Sequence, residues 1–72
     1  MAAITWSAKN NSSFLNGVRR ANTMRGAVTA AKRYVEGELY GEGTIIICVD
    51  GQPVRIIERS IFTRYRWVSK QL

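Results

Sequence analysis

Apolar and polar residues change their spacing twice along this 72-residue chain. Ala2-Ala3-Ile4-Thr5-Trp6 alternates, with Ile4 and Trp6 on one side, and predicts a short first strand. The polar cluster Lys9 to Ser13 predicts a loop. Phe14 to Arg20, interrupted by Gly17, reads either as a second short strand or as an irregular arm. From Met24 the apolar positions Met24, Ala27, Val28, Ala31, Tyr34, Val35 and Leu39 fall mostly three or four apart, which predicts one amphipathic helix. Asn22 and Thr23 offer side-chain oxygens to cap its first turn. Gly37 or Gly41 can end it, because either accepts a left-handed backbone. The opposite helix face carries Arg25, Thr29, Lys32, Arg33 and Glu36 and is mainly positive.

Beyond Gly43 the spacing becomes two. Thr44 to Val49 is a β-branched run, Asp50-Gly51 is a two-residue hairpin turn, and Gln52 to Ile57 is the returning strand. Counting outward from the turn, Val49 is expected to face Gln52, Ile47 to face Val54 and Ile45 to face Ile56. Ile45, Ile47, Val49, Val54 and Ile56 then form the side toward the helix, and Ile46, Cys48, Arg55 and Ile57 the other. Pro53 has no amide hydrogen, so its amide side should meet a sheet edge or a bulge. Arg64 to Val68 alternates again, with Tyr65 and Trp67 on one side, and predicts a last strand after a turn or bulge at Ser60 to Thr63. These elements make an α+β fold in two layers, one amphipathic helix packed on a mainly antiparallel sheet of three or four strands. The order is β, an uncertain segment, α, β, β, β, and the length allows a single domain over 1–72.

Composition adds a partner class. Eleven Lys and Arg against five Asp and Glu give a net charge of +6 and a pI near 10.3, which makes nucleic acid the first suspect. Only Lys9, Lys32 and Lys70 are lysines, so the positive charge is mostly arginine, whose planar guanidinium forks onto phosphate and carboxylate and stacks on rings. The chain has no histidine and its acids are scattered, so general acid–base catalysis is poorly supported. Glu36, Glu38 and Glu42 lack the ligand set of a hard-metal site. Gly41-Glu42-Gly43 lacks the lysine and following helix of a phosphate loop. No enzyme, cofactor or metal is therefore expected. Cys48 stands alone, so neither an intrachain disulfide nor a zinc set can form. The first residues show no charged segment followed by an apolar one, and Ile45 to Val49 is far too short to cross a bilayer; a cytoplasmic protein without a membrane partner is expected.

Glu58 to Trp67 gathers three arginines and three aromatic rings in ten positions. Alternation sends Arg55, Arg59, Arg64 and Arg66 to the sheet face away from the helix, or to its rim, as one exposed cationic stripe. Phe62 is the ring expected to be accessible, while Tyr65 and Trp67 are expected to point into the core. Arg19, Arg20, Arg25, Lys32 and Arg33 form a second basic area. Such a surface fits phosphates and stacked bases of nucleic acid, and equally a protein complex that handles nucleic acid. The rival is a self-associating protein in which Ile46, Ile57 and Phe62 meet a second copy across the outer sheet face. A small core leaves both monomer and homodimer open.

The segments Ala30-Ala31-Lys32-Arg33-Tyr34-Val35, Gly43-Thr44-Ile45-Ile46-Ile47, Asp50-Gly51-Gln52-Pro53-Val54 and Arg66-Trp67 follow one another as helix, hairpin and closing strand. Over residues 24–68 this arrangement resembles small phage-encoded inhibitors of the anti-CRISPR type, which dock on RNA-guided surveillance complexes. The resemblance implies a non-catalytic viral or prophage protein that acts by occupying a site.

Overall fold

The structure, a computed structural model, describes residues 3–72. Its elements are β1 (Ile4–Lys9), β2 (Arg19–Ala21), α1 (Met24–Glu38), β3 (Gly43–Val49), β4 (Gln52–Arg59), a 3-10 turn (Ile61–Thr63) and β5 (Val68–Gln71). The strands form one antiparallel sheet in the order β2-β1-β3-β4-β5, with α1 on one face. The α+β class and the helix-on-sheet layering follow the alternation in the sequence, and the sheet has five strands where three or four were expected. The first strand begins at Ile4 and runs three residues past Trp6; Ala2 lies outside the described residues. The uncertain segment resolves into both of its readings. Phe14 makes one isolated bridge to Lys9, and only Arg19–Ala21 pairs continuously with β1.

Thr23 caps α1, its Oγ1 accepting from the Gly26 amide at 2.9 Å. Ala27, Ala31, Val35 and Leu39 point into the core, joined by Trp6, Ala8, Ile45, Ile47 and Ile57 from the sheet. The two alanines let the helix axis come close to β1 and β3, and Gly43 completes the fit. A Cβ there would stand 3.0 Å from the Lys9 carbonyl oxygen and 3.1 Å from Leu39 Cδ1. Gly37 stays inside the helix. The helix ends at Leu39, after which Tyr40 (φ 58°) and Gly41 (φ 81°) turn through left-handed conformations and the Gly41 amide donates to the Val35 carbonyl at 2.8 Å. Asn10 locks the adjacent loop: its Oδ1 accepts from the Ser12 and Ser13 amides, and its Nδ2 donates to the carbonyls of Leu39 and Glu42.

The hairpin turn is of the kind Asp-Gly favours, with positive φ at both Asp50 (51°) and Gly51 (83°). Asp50 is also tied to β1, its Oδ1 accepting from the Ala3 amide and its own amide donating to the Ala3 carbonyl, both at 2.8 Å. Val49 faces Gln52 as expected. Cys48 then faces Pro53 and Ile47 faces Arg55, so the register shifts and Val54 is an extra residue in β4. Pro53 offers no amide hydrogen to the ladder, which is the local reason for a bulge at this point. Past the bulge every pairing differs by one from the simple count. Ile45 faces Ile57, Ile46 faces Ile56, and Gly43 faces Arg59.

That single residue exchanges the two faces of β4. Ile57 is buried at 1% exposure, while Ile56 lies on the open side opposite Ile46, which reverses the expectation for both. Arg55 and Arg59 share the helix-side face with Ile47, Ile57, Ser69 and Gln71. The expected stripe on the face away from the helix is therefore not formed. Arg64 to Val68 is not a strand either: Arg64 and Tyr65 lie in left-handed backbone, and β5 begins at Val68.

Candidate functional site

Ser60 to Arg66 forms a closed turn held by its own polar groups. The Ser60 amide donates to Thr63 Oγ1 at 2.9 Å, Thr63 Oγ1 donates to the Ser60 carbonyl at 3.0 Å, and Ser60 Oγ accepts from the Phe62 amide at 3.2 Å. The Tyr65 amide closes back on the Ser60 carbonyl at 2.8 Å. Two consecutive non-glycine residues, Arg64 (φ 56°) and Tyr65 (φ 59°), occupy the left-handed region, where each costs about 1–2 kcal/mol. Short bonds on every side maintain this arrangement, and its effect is to turn side chains outward. Phe62 is 94% exposed, Tyr65 52% exposed, and Ile61, Arg64 and Arg66 are exposed beside them. Three apolar or aromatic groups and two guanidinium groups thus crowd one rigid tip, with Phe62 the accessible ring that the sequence indicated. Tyr65 was expected to point inward and does not.

Trp67, by contrast, packs against the core and lies close to two cations. The Arg59 guanidinium carbon lies 5.6 Å from its ring centroid and Lys32 Nζ lies 5.4 Å from it, both within reach of cation–π attraction. Arg59 also pairs with Glu36 across the helix–sheet interface at 3.8 Å, the only ion pair among the described residues. Its Nε is buried without an acceptor. Arg59 is thus a packing residue on the seam between α1 and β4, with its side chain only 29% exposed. Arg55 is half-buried on the same face of β4, opposite Gln71. Arg64 and Arg66 have no carboxylate partner among the described residues.

The second basic area separates into distinct places. Arg19 covers the opposite seam, its guanidinium carbon 5.9 Å from the Trp6 ring centroid and 5.6 Å from that of Tyr34, with the two rings 5.8 Å apart. Arg20 pairs with Thr5 and belongs to the other face of the sheet. Lys32 belongs with Arg59 over Trp67. Arg25 and Arg33 are exposed on the helix. The expectation of one contiguous second area is corrected accordingly: cations at i and i+1 on a strand point to opposite faces, as Arg19 and Arg20 do. The cationic caps over Trp6, Tyr34 and Trp67 were not foreseen, because they depend on which strand edges the helix leaves uncovered.

A shallow cleft of about 190 Å³ lies at the foot of the turn, lined by Asn10, Glu42, Thr44, Glu58, Arg59 and Phe62 among others. Its volume is below the range of roughly 300–1,000 Å³ usual for small-molecule sites. A second cleft of about 340 Å³ between the Asn10 loop and Tyr40 is lined by amide, hydroxyl and carboxylate groups, with Leu39 and Tyr40. No group of three metal-ligating side chains occurs among the described residues, and no helix there is long and apolar enough to cross a membrane.

No family model, no curated protein and no solved structure matches this chain.

Proposed function

We propose that the protein is a small non-enzymatic docking protein that binds nucleic acid, or a complex built on nucleic acid, through the Ser60–Arg66 turn. The observation that carries this reading is Phe62, an almost fully exposed ring on a hydrogen-bonded turn, with the uncompensated Arg64 and Arg66 beside it. Rigid rings next to guanidinium groups are what base stacking and phosphate contact use, and the same groups dominate the energetics of protein interfaces. Burying Phe62 removes apolar surface from water without any ordering cost in the turn, which is already closed. Arg55 and Arg59 extend the positive field along β4 behind the turn, and the net charge of +6 steers a polyanion toward it.

In its finer form this reading makes the chain a phage- or mobile-element-encoded inhibitor that acts by occupancy in the host cytoplasm, as its resemblance to anti-CRISPR proteins implies. The test is capture from bacterial lysate by immobilised wild type and by the Arg64→Gln/Arg66→Gln double variant, each with and without nuclease. Material absent both after nuclease treatment and in the double variant supports nucleic acid at this turn. Material absent only in the variant supports a protein partner there. Equal capture by both proteins contradicts the site.

A further inference from the structure

The sheet face away from α1 is organised in rows across the strands. Lys9, Thr44, Glu58 and Val68 form one row; Ser7, Ile46, Ile56 and Lys70 the next; Thr5, Cys48 and Pro53 the third, with Arg20 beside Thr5. No element of the described chain covers this face. Its centre is nevertheless apolar: Ile46 and Ile56 are direct partners, Cys48 follows Ile46 on the same face of β3, Val68 lies diagonal to Ile56 on β5, and all four are half-buried. β3 and β4 therefore carry isoleucine on both faces, as Ile45, Ile46 and Ile47 and as Ile56 and Ile57, a pattern usual for strands covered on both sides. An exposed antiparallel face alternates cleanly to polar residues, and this one does not.

We propose that this face is the contact surface between two copies of the chain. The placement of Lys9 and Glu58, the only opposite charges on the central three strands of this face, fits a second copy. Lys9 and Glu58 sit in the same row on β1 and β4, one on each side of Thr44 of β3. A two-fold axis running along β3 lays β1 of one copy over β4 of the other, so each Lys9 meets the opposing Glu58 and each Ile46 meets its counterpart. A self-complementary patch of this kind closes as a dimer and does not propagate. Nucleic acid is the poorer occupant, because none of the chain's aromatic rings lies in these rows and Glu58 sits among them.

The five strands, of 6, 3, 7, 8 and 4 residues, at roughly 3.3 Å per residue and about 4.8 Å apart give a face of about 440 Å² per copy. Doubled, that is about 900 Å², below the roughly 1,200 Å² at which stable specific interfaces begin, so the dimer is a weak, transient one that fills only at high protein concentration.

Light scattering on eluted protein from about 10 µM to 1 mM tests this. The expected mass rises toward twice the 8.1 kDa of the chain with concentration. Ile46→Lys should remain a single chain over the same range while keeping its circular dichroism. Lys9→Glu and Glu58→Lys should each weaken association roughly tenfold, and the double exchange should restore it, as expected for facing opposite charges. Should Ile46→Lys fail to fold, the charge exchange decides, since Lys9 is exposed and outside the core. A mass of one chain at the highest concentration, a dimer that survives Ile46→Lys, or charge exchanges that do not compensate would overturn the proposal.

Discussion

Ile45 stands opposite Ile57 across the β3–β4 ladder, and Ile56 stands opposite Ile46 on the other face of the sheet. The bulge at Val54, next to Pro53, is what makes this so, and it determines which side chains of β4 are structural. Ile57→Ala should remove about 2–5 kcal/mol, enough to unfold much of so small a domain, because its side chain fills the core between Ile45 and the helix layer. Ile56→Ala on the open face should cost well under half as much in the monomer. Urea unfolding of both variants at low protein concentration checks the register directly, and equal losses would contradict it.

Arg59 and Arg64 stand five residues apart and should behave as different kinds of residue. Arg59→Gln gives up the Glu36 pair and one of the two cations over Trp67. Allowing for partial exposure, a loss of about 1 kcal/mol is expected in thermal or denaturant unfolding. Arg64→Gln and Arg66→Gln touch nothing that holds the fold and should stay within about 0.5 kcal/mol of wild type. A large loss in either of these would make the turn a structural element.

The two-layer fold was legible because its signals are local. Thr23 before a helical spacing, the Asp50-Gly51 turn and the β-branched run of β3 each act within a few residues, and each agrees with the structure. The faces of β4 were not legible by counting. Pro53 marked a bulge, but the count carried past it as if the ladder were regular, and one uncounted residue sent Arg55, Ile56, Ile57 and Arg59 to the wrong sides. Alternation likewise assigned Arg64 to Val68 to a strand, whereas Ser60 and Thr63 close a turn whose left-handed residues interrupt it. Phe62 could be recognised as exposed because it falls between elements. Arg19 over Trp6 and Tyr34 could not, because β2 is three residues long and its pairing partner is set by the whole sheet.

Gly37 and Gly43 should respond to alanine with opposite signs. A Cβ at Gly37 meets nothing within 4 Å on an ordinary helical backbone, so Gly37→Ala should stabilise by about 0.5–1 kcal/mol through helix propensity. Gly43→Ala pushes a methyl group against the Lys9 carbonyl and Leu39, and should destabilise by about 1–3 kcal/mol. Melting temperatures of the two variants resolve the signs.

Tyr65→Gly separates stability from docking. Glycine takes the left-handed backbone at Tyr65 without a Cβ penalty, so the variant should be as stable as wild type or up to about 1 kcal/mol more so. It also removes one of the rings at the tip and should weaken partner binding. A gain in stability with unchanged binding would exclude Tyr65 from the contact.

The most direct measurement of the central claim is the affinity for a fluorescent single-stranded oligonucleotide, taken at several salt concentrations for wild type and for Arg64→Gln/Arg66→Gln. Wild type should bind at low salt with an affinity that falls steeply as salt rises. Removing the two arginines should flatten the log–log slope by roughly 1.4, about 0.7 for each phosphate that is no longer neutralised. Absence of binding by wild type at the lowest salt, or the same slope in both proteins, would contradict the assignment of the Ser60–Arg66 turn as a nucleic-acid contact.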